Sequence, residues 1–437
     1  MPTTTTTTPH RPTTLPRLLG GLDTPDGLAP LDRHIAHHGV LAVHPEPGRP
    51  NDVLREVVRQ SGLGGRGGAN FPVARKVDAV IAQRGRPIVL INATEGEPPS
   101  RKDHVLLRGA PHLVIDGAVV GAAMVGAREA IIAVEAGSRR EYAALDKALA
   151  ERESRRVDDR LKISLATVPD GFVVGEERAL VDALNGGPGK PTHTPPRPFQ
   201  KGINGAPTLV HNAESAAQLA LIARHGAEWF RALGTPAEPG SALVTLTGAV
   251  AHAGVYEIPL GAALDDLLAA AGGLSEPIRA YLVGGYFGTW LDADEVVGLR
   301  LSNADLVAHG GGLGARAIVA LPATACGLTE TARIARYLSD ESSGQCGPCT
   351  YGLDAIAGGL ERLVRGDRSV LPDIERWLGL VVGRGECRHP DGAAKLIASA
   401  LEVFADEVRR HTIDRQCSGD GRQVLPVPKR TSARRPG

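Results

Sequence analysis

Cys346-Gly347-Pro348-Cys349 places two thiols across a glycine-proline turn ahead of a helical stretch, and Cys387 lies near the start of a later helix. Thiolates two residues apart converge on one centre, as ligands of an iron-sulfur cluster or of zinc. The plain alternative is a pair of inert buried cysteines. Five cysteines in 437 residues make no disulfide framework, so clustered thiols in a reducing compartment read as metal-binding or redox-active.

Three further segments carry polar chemistry. Residues 62–68 hold five glycines, within a loop from Ser61 to Pro72. Such a backbone approaches a bound group closely, and its N–H groups can hold phosphate or a flat ring. The loop is not the dinucleotide fingerprint, because it follows a helix and is spaced differently; a mere turn is the alternative. Asn92-Ala93-Thr94-Glu95-Gly96-Glu97-Pro98 follows a strand-like run, at the end where open parallel sheets bind ligands, although two carboxylates there also suit a solvated turn. Val174-Gly175-Glu176-Glu177-Arg178-Ala179-Leu180 puts acids in the first turn of a helix, which the helix dipole favours even without a ligand.

The elements that must position these groups alternate. A short helix over 52–60 ends at the glycine loop, and a second follows to about Ala82. Pro87 to Asn92 is a continuous apolar run, the mark of a strand buried on both faces. Then come a helix around 111–126, a strand over Ala130 to Val134, a charged helix near 140–152 and a strand over Lys162 to Ala166. Strands alternating with helices predict a parallel α/β sheet. Glycine and proline dominate Gly186 to Pro207, a long loop of the kind that carries function. Leu243 to Gly248 and Gly254 to Ile258 read as a hairpin, followed by a helix at 261–271, a small α+β module. Beyond Glu330 the period is helical, with Ile334, Tyr337 and Leu338, then Leu396, Ile397, Ala400, Leu401 and Phe404, on single faces.

Lys plus Arg equals Asp plus Glu at 49 each, so no global field draws the chain toward nucleic acid or an anionic membrane. Apolar residues at 42% and charged residues at 22% fit a globular protein. The longest apolar candidate for a span, Gly117 to Ala127, falls short of the roughly 20 residues a spanning helix needs. Met1 to roughly Pro16 is a threonine-proline tract without a signal peptide's apolar core, which predicts a disordered tail on a cytoplasmic protein.

Taken together, these segments resemble the NADH-binding flavoprotein subunit of respiratory complex I (NADH-quinone oxidoreductase) and its relatives in soluble hydrogenases and formate dehydrogenases, with this chain as a divergent stand-alone member. The resemblance covers roughly residues 50–405, with the motifs in family order. Gly64-Gly65-Arg66-Gly67-Gly68-Ala69-Asn70-Phe71-Pro72 is similar to the family's nucleotide loop, and Lys76 to its following lysine. Asn92 to Pro98 matches the strand-end motif that contacts flavin and nicotinamide, with Thr94 where the family usually has aspartate. Gly175-Glu176-Glu177 matches the next flavin segment, and His211-Asn212-Ala213-Glu214-Ser215 a segment that normally reads Asn-Asn-Val-Glu-Thr. Glu341 to Cys349 matches the cluster motif and Cys387 its distant fourth ligand, with Ser343 standing at the first cysteine.

The resemblance implies an α/β fold: a Rossmann-like FMN- and NADH-binding domain over 31–238, a β-grasp (SLBB-like) domain over 239–322 and a helical iron-sulfur domain over 323–417, between tails at 1–30 and 418–437. It implies NADH entering among Phe71, Phe199, Glu97 and Glu177, with the two glutamates at the catalytic centre. FMN would lie on Gly64, Gly65, Arg66, Gly67, Gly68, Lys76, Asn92, Glu95, Gly175, Glu176, His211, Asn212 and Ser215. A [4Fe-4S] cluster would sit on Cys346, Cys349 and Cys387, its fourth ligand Ser343, Cys417 or Cys326; zinc on the same three thiolates plus His389 or His411 is the metal alternative. His211 adds an imidazole expected to titrate near neutral pH beside the flavin. The implied activity is hydride transfer from NADH to FMN, then single electrons to the cluster and to an outside carrier. That carrier is a ferredoxin or thioredoxin-like iron-sulfur protein, with a membrane redox subunit as a further partner. The rivals are a scaffold subunit with a structural metal and an enzyme of the same fold using another reductant.

Overall fold

The structure, a computed structural model, describes residues 14–21, 29–417 and 419–428. Of the tails expected at 1–30 and 418–437, residues 1–13, 22–28, 418 and 429–437 lie outside the described residues. The chain forms two compact units, one of residues up to 95, 101–244 and 255–262, the other of 96–100, 245–254 and 263 onward.

The first unit is built on a parallel sheet of β1 (Ile88–Asn92), β2 (Glu129–Glu135), β3 (Lys162–Val168) and β4 (Thr208–Asn212), in the order β3-β2-β1-β4. Its helices are α1 (Leu31–His38), α2 (Asp52–Ser61), α3 (Val73–Ile81), α4 (Lys102–Gly109), α5 (Pro111–Val125), α6 (Arg139–Ser154), α7 (Glu177–Leu184) and α8 (Ala213–Arg231). β1 is apolar without alternation because it is central: Val89, Leu90 and Ile91 are wholly buried, each worth about 1.5–3 kcal/mol relative to exposure. α5 shows no polar face because all 15 of its residues are buried. It lies so close to α8 that a Cβ on Gly117 would come within 2.0 Å of the Ala216 carbonyl oxygen. No single helix among the described residues is long and apolar enough to cross a membrane.

α2 starts on Asn51, whose side chain accepts from Leu54 N, and ends on Gly62 in the left-handed region (φ 69°), where the glycine loop begins. Gly65 N donates to Phe71 O and Val73 N to Leu63 O, which closes the loop ahead of α3. Residues 17–19, expected in the N-terminal tail, are anchored: their three N–H groups all donate to the Glu257 carboxylate, and Leu18 is fully buried.

The second sheet, from β5 (Ser241–Gly248) and β6 (Gly254–Pro259) to β7 (Ile278–Val283), β8 (Thr289–Asp292) and β9 (Ala317–Pro322), runs β6-β5-β9-β7-β8. It is mixed: β5 is parallel to β9, while β7 is antiparallel to both β8 and β9. α9 (Leu264–Ala270) and α10 (Asn303–Ala308) accompany it, and α11 (Gly327–Asp340), α12 (Leu353–Val364), α13 (Leu371–Val381), α14 (His389–Val403) and α15 (Ala405–Arg409) complete the second unit. The helices pack through Leu328, Ile356, Leu360, Leu363, Ile374 and Ile397. Residues 419–428, expected in a disordered basic tail, are also held, with Leu425 buried and its N–H donating to Glu330.

Candidate functional site

In the first unit the strand order reverses between β1 and β4, since the chain runs outward from β1 through β2 to β3 and returns to β1's other edge. Ligands bind outside the carboxyl ends of strands at such a switch point. Ile91 is in register with His211 and Asn92 with Asn212, so this crevice is edged by two of the sequence motifs. Asn92 Nδ2 donates to Gly175 O at 2.8 Å, bringing in a third, while its Oδ1 accepts from Thr94 N and Oγ1. The glycine loop joins them through Arg66 N, which donates to Ser215 Oγ at 2.8 Å. A Cβ on Gly67 would stand 3.2 Å from Asn212 Cβ, and one on Gly175 3.1 Å from Thr94 Oγ1. The glycines therefore leave a cradle that side chains would fill.

Charge is distributed unevenly around it. Lys76 Nζ lies 3.2 Å from Glu177 and donates to Val210 O at 3.4 Å. Below the crevice, Lys102 Nζ bridges Asp103 (2.9 Å) and Glu214 (3.1 Å), all three nearly fully buried. Asn212 Nδ2 donates to Asp103 Oδ2 at 2.6 Å, so this cluster fixes a crevice side chain. Burial raises the Asp103 carboxyl to about 6 against the opposing pull of Lys102. In the sequence, Lys102 and Asp103 pass for surface charges and go unnoticed; the only signal is their place directly after the Asn92 to Pro98 motif.

Several expected ligands also have structural work. Arg66 is buried with its guanidinium on the Pro239 and Ser241 carbonyls. Glu95 takes Asp103 N and His104 N, capping α4. Glu176 takes Arg178 N and Ala179 N, capping α7. Phe71 is exposed at 45% and Phe199 is half-buried. Glu97 belongs to the second unit and accepts from Tyr286 N at 2.8 Å. Glu135, at the end of β2, carries no mark in the sequence; burial, then Asp170, lifts its carboxyl to about 7.

His211 requires a correction. Burial first, and Lys76 second, hold its imidazole down to about 3, so it stays neutral near pH 7 and does not titrate there. Its Nε2 is buried with no hydrogen-bond partner among the described residues. A buried polar nitrogen left open beside a glycine cradle is what a bound ligand satisfies. The residues present therefore fit a flavin mononucleotide.

In the second unit, Pro348–Gly352 forms a single π turn that carries Cys349 inward, 3% exposed. Its thiol is in hydrogen-bonding contact with Cys346 and Ser343 and feels Cys387, and burial pushes it up to about 12. Three thiols and a buried hydroxyl on one centre fit an iron-sulfur cluster, whose positive irons draw the protons off. Cys326, Cys417 and His411 are gathered elsewhere, with one another. His389 Nε2 donates to Leu338 O at 2.7 Å.

Comparison with known proteins yields three matching family models: "Nuo51 FMN-binding domain" over residues 58–221, "SLBB domain" over 243–283 and "NADH-ubiquinone oxidoreductase-F iron-sulfur binding region" over 329–411. The F subunit of the NADH-quinone oxidoreductase of Mycobacterium tuberculosis (strain ATCC 25618 / H37Rv) is 32% identical over 420 residues, 92% of this chain and 94% of that one. The HndC subunit of the NADP-reducing hydrogenase of Solidesulfovibrio fructosivorans is 28% identical over 383 residues, 84% of this chain and 77% of that one. Among solved structures, the air-oxidised NAD+-reducing [NiFe]-hydrogenase superposes with a TM-score of 0.80 at 30% identity, covering 92% of this chain and 67% of the other.

Proposed function

The chain belongs to the family of NADH-quinone oxidoreductase F subunits and is an NADH-oxidising flavoprotein with FMN and a [4Fe-4S] cluster, and from that premise we propose which of its residues do the work and what takes its electrons. The observation that carries the reading is the convergence of the glycine loop, Asn92 with Gly175, and the open Nε2 of buried His211 at the β1/β4 switch. When bound, FMN accepts hydride from NADH, and the cluster takes the electrons one at a time.

Gly67 and Gly175 keep the crevice floor clear of side chains, so that a flat ring would meet backbone there. Lys76, 3.2 Å from Glu177, would hold the negative end of the flavin nucleotide. His211, neutral, offers a hydrogen bond without adding charge. Glu177, with Phe71 and Phe199, would receive the nicotinamide nucleotide. Cys346, Cys349 and Cys387 hold the cluster and Ser343 Oγ completes the set. An iron-sulfur protein of ferredoxin or thioredoxin-like type then collects single electrons, in the cytoplasm or on a membrane through a redox subunit.

Equilibrium FMN binding tests the site. Lys76→Ala removes a charge-assisted contact worth about 1.5–3 kcal/mol and weakens FMN roughly 10–100-fold, while Gly67→Val, which fills the cradle, abolishes retention. Unchanged FMN affinity in both variants rejects the assignment.

A further inference from the structure

The C-terminal helices gather a second set of soft donors. Cys326 is the N-cap of α11, and its Sγ accepts from Thr329 N (3.4 Å) and Thr329 Oγ1 (3.2 Å). His411 Nε2 lies 3.3 Å from that sulfur. The other ring nitrogen, Nδ1, is 2.6 Å from the Val364 carbonyl, which only accepts, so the proton sits on Nδ1 and the Nε2 lone pair faces the thiol. Cys417 closes the group: the ligand atoms of Cys326, His411 and Cys417 all lie within 4.8 Å of one another. The backbone keeps Cys417 there. Gly419 N donates to its sulfur at 3.4 Å, Asp420 N donates to Thr324 O at 2.9 Å, and Gly419 lies so near Cys326 that an added Cβ would stand 2.9 Å from Cys326 Cβ.

Core packing alone does not ask for this arrangement. A histidine whose far nitrogen is fixed by a carbonyl is the habit of a metal ligand. Cys326 Sγ also donates to Glu407 Oε2 at 3.0 Å, and that carboxylate, 2% exposed, takes Leu328 N as well. Burial and the Glu407 charge push the Cys326 thiol well above its ordinary range, so it does not ionise unaided. A divalent cation supplies the missing positive charge.

We propose that Cys326, His411 and Cys417 bind a zinc-type divalent ion, separate from the cluster on Cys346, Cys349 and Cys387, with Glu407 as the outer carboxylate. Two thiol protons pass to solvent as two metal–sulfur bonds and one metal–nitrogen bond form, and no electrons move. Two sulfurs and an imidazole suit zinc far better than magnesium or calcium, which take oxygen ligands. The ion ties the segment after α15 to the start of α11.

The test uses the full chain carrying FMN and cluster, incubated with Zn2+ alone, desalted and analysed for zinc and iron. Wild type retains one zinc per chain beside its iron, and zinc-edge absorption shows two sulfurs and one nitrogen. Cys417→Ala, an exposed position that leaves the fold intact, loses the zinc and keeps the iron; Cys349→Ser loses the iron and keeps the zinc. The proposal fails if wild type retains no zinc, if Cys417→Ala retains it, if Cys349→Ser releases it, or if mass spectrometry finds Cys326 and Cys417 joined as a disulfide.

Discussion

Replacing Lys102 by methionine keeps the length of the side chain and deletes its charge. In the structure that ammonium lies 2.9 Å from Asp103 and 3.1 Å from Glu214, with all three side chains at most 4% exposed. Removing one partner of a buried ion group strands the others, at a cost of about 3–5 kcal/mol. For a unit of this size that lowers the melting temperature by roughly 6–20 °C. Because the chain has two units, release of flavin fluorescence on heating is the proper probe, since it reports on the first unit alone. The sign with pH is also fixed. The Asp103 carboxyl already sits at about 6, above its free value of 3.8, so the folded state binds the extra proton and this group's contribution to stability is fully present below about 3.8 and lost as pH rises through 6. Without Lys102 the carboxyl rises further, and the deficit of the variant narrows between about pH 8 and about pH 5 as the stranded Asp103 carboxyl protonates. A Lys102→Met protein that melts within about 2 °C of wild type, or with the same deficit at both pH values, refutes the reasoning.

His211 is held at about 3, below its free value of 6.5, so the unfolded chain takes up its proton first and stability falls as pH drops from 6.5 toward 3. His211→Asn should flatten that fall by up to about 1.4 kcal/mol per pH unit, and an unchanged slope in flavin-release melts counts against a buried neutral imidazole. Ser343→Ala should lose iron to a chelator more readily, by at least the roughly 10–100-fold that outer partners of metal sites are worth, and Ser343→Cys should hold it more tightly. Iron retained equally by all three proteins removes Ser343 from the ligand set. Gly117→Ala places a Cβ 2.0 Å from the Ala216 carbonyl oxygen and forces α5 and α8 apart. Chemical denaturation should show a loss of about 1–3 kcal/mol or more, and a neutral result denies the close packing.

Local pattern carried the parallel sheet: β1, β2 and β3 fall within two residues of the runs read at 87–92, 130–134 and 162–166, because buried strands are continuous apolar runs. β4 and α8 are visible in the sequence only as a motif. Thr208 to Asn212 is short and follows a proline-rich loop, and the first ten residues of α8, Ala213 to Ile222, are buried on every side, which erases the helical period. The glycine loop, Asn92 and Gly175 were legible because backbone freedom and strand ends leave marks in sequence. Lys102 with Asp103, and Glu257 holding residues 17–19 across 240 positions of chain, leave none, since a buried charge differs from a surface charge only in tertiary context. Cys326 and Cys417 stand among the candidate cluster ligands because sequence gives their chemistry and not their neighbours; α11 and the turn after α15 bring them to His411.

Anaerobic addition of NADH to the purified protein, loaded with FMN and cluster, tests the central claim most directly. The flavin band should bleach at once and paramagnetic resonance should then show a reduced cluster, which Cys349→Ser keeps from appearing while leaving the bleaching intact. A flavin band that NADH leaves unchanged, in protein shown to be folded and loaded, contradicts the account.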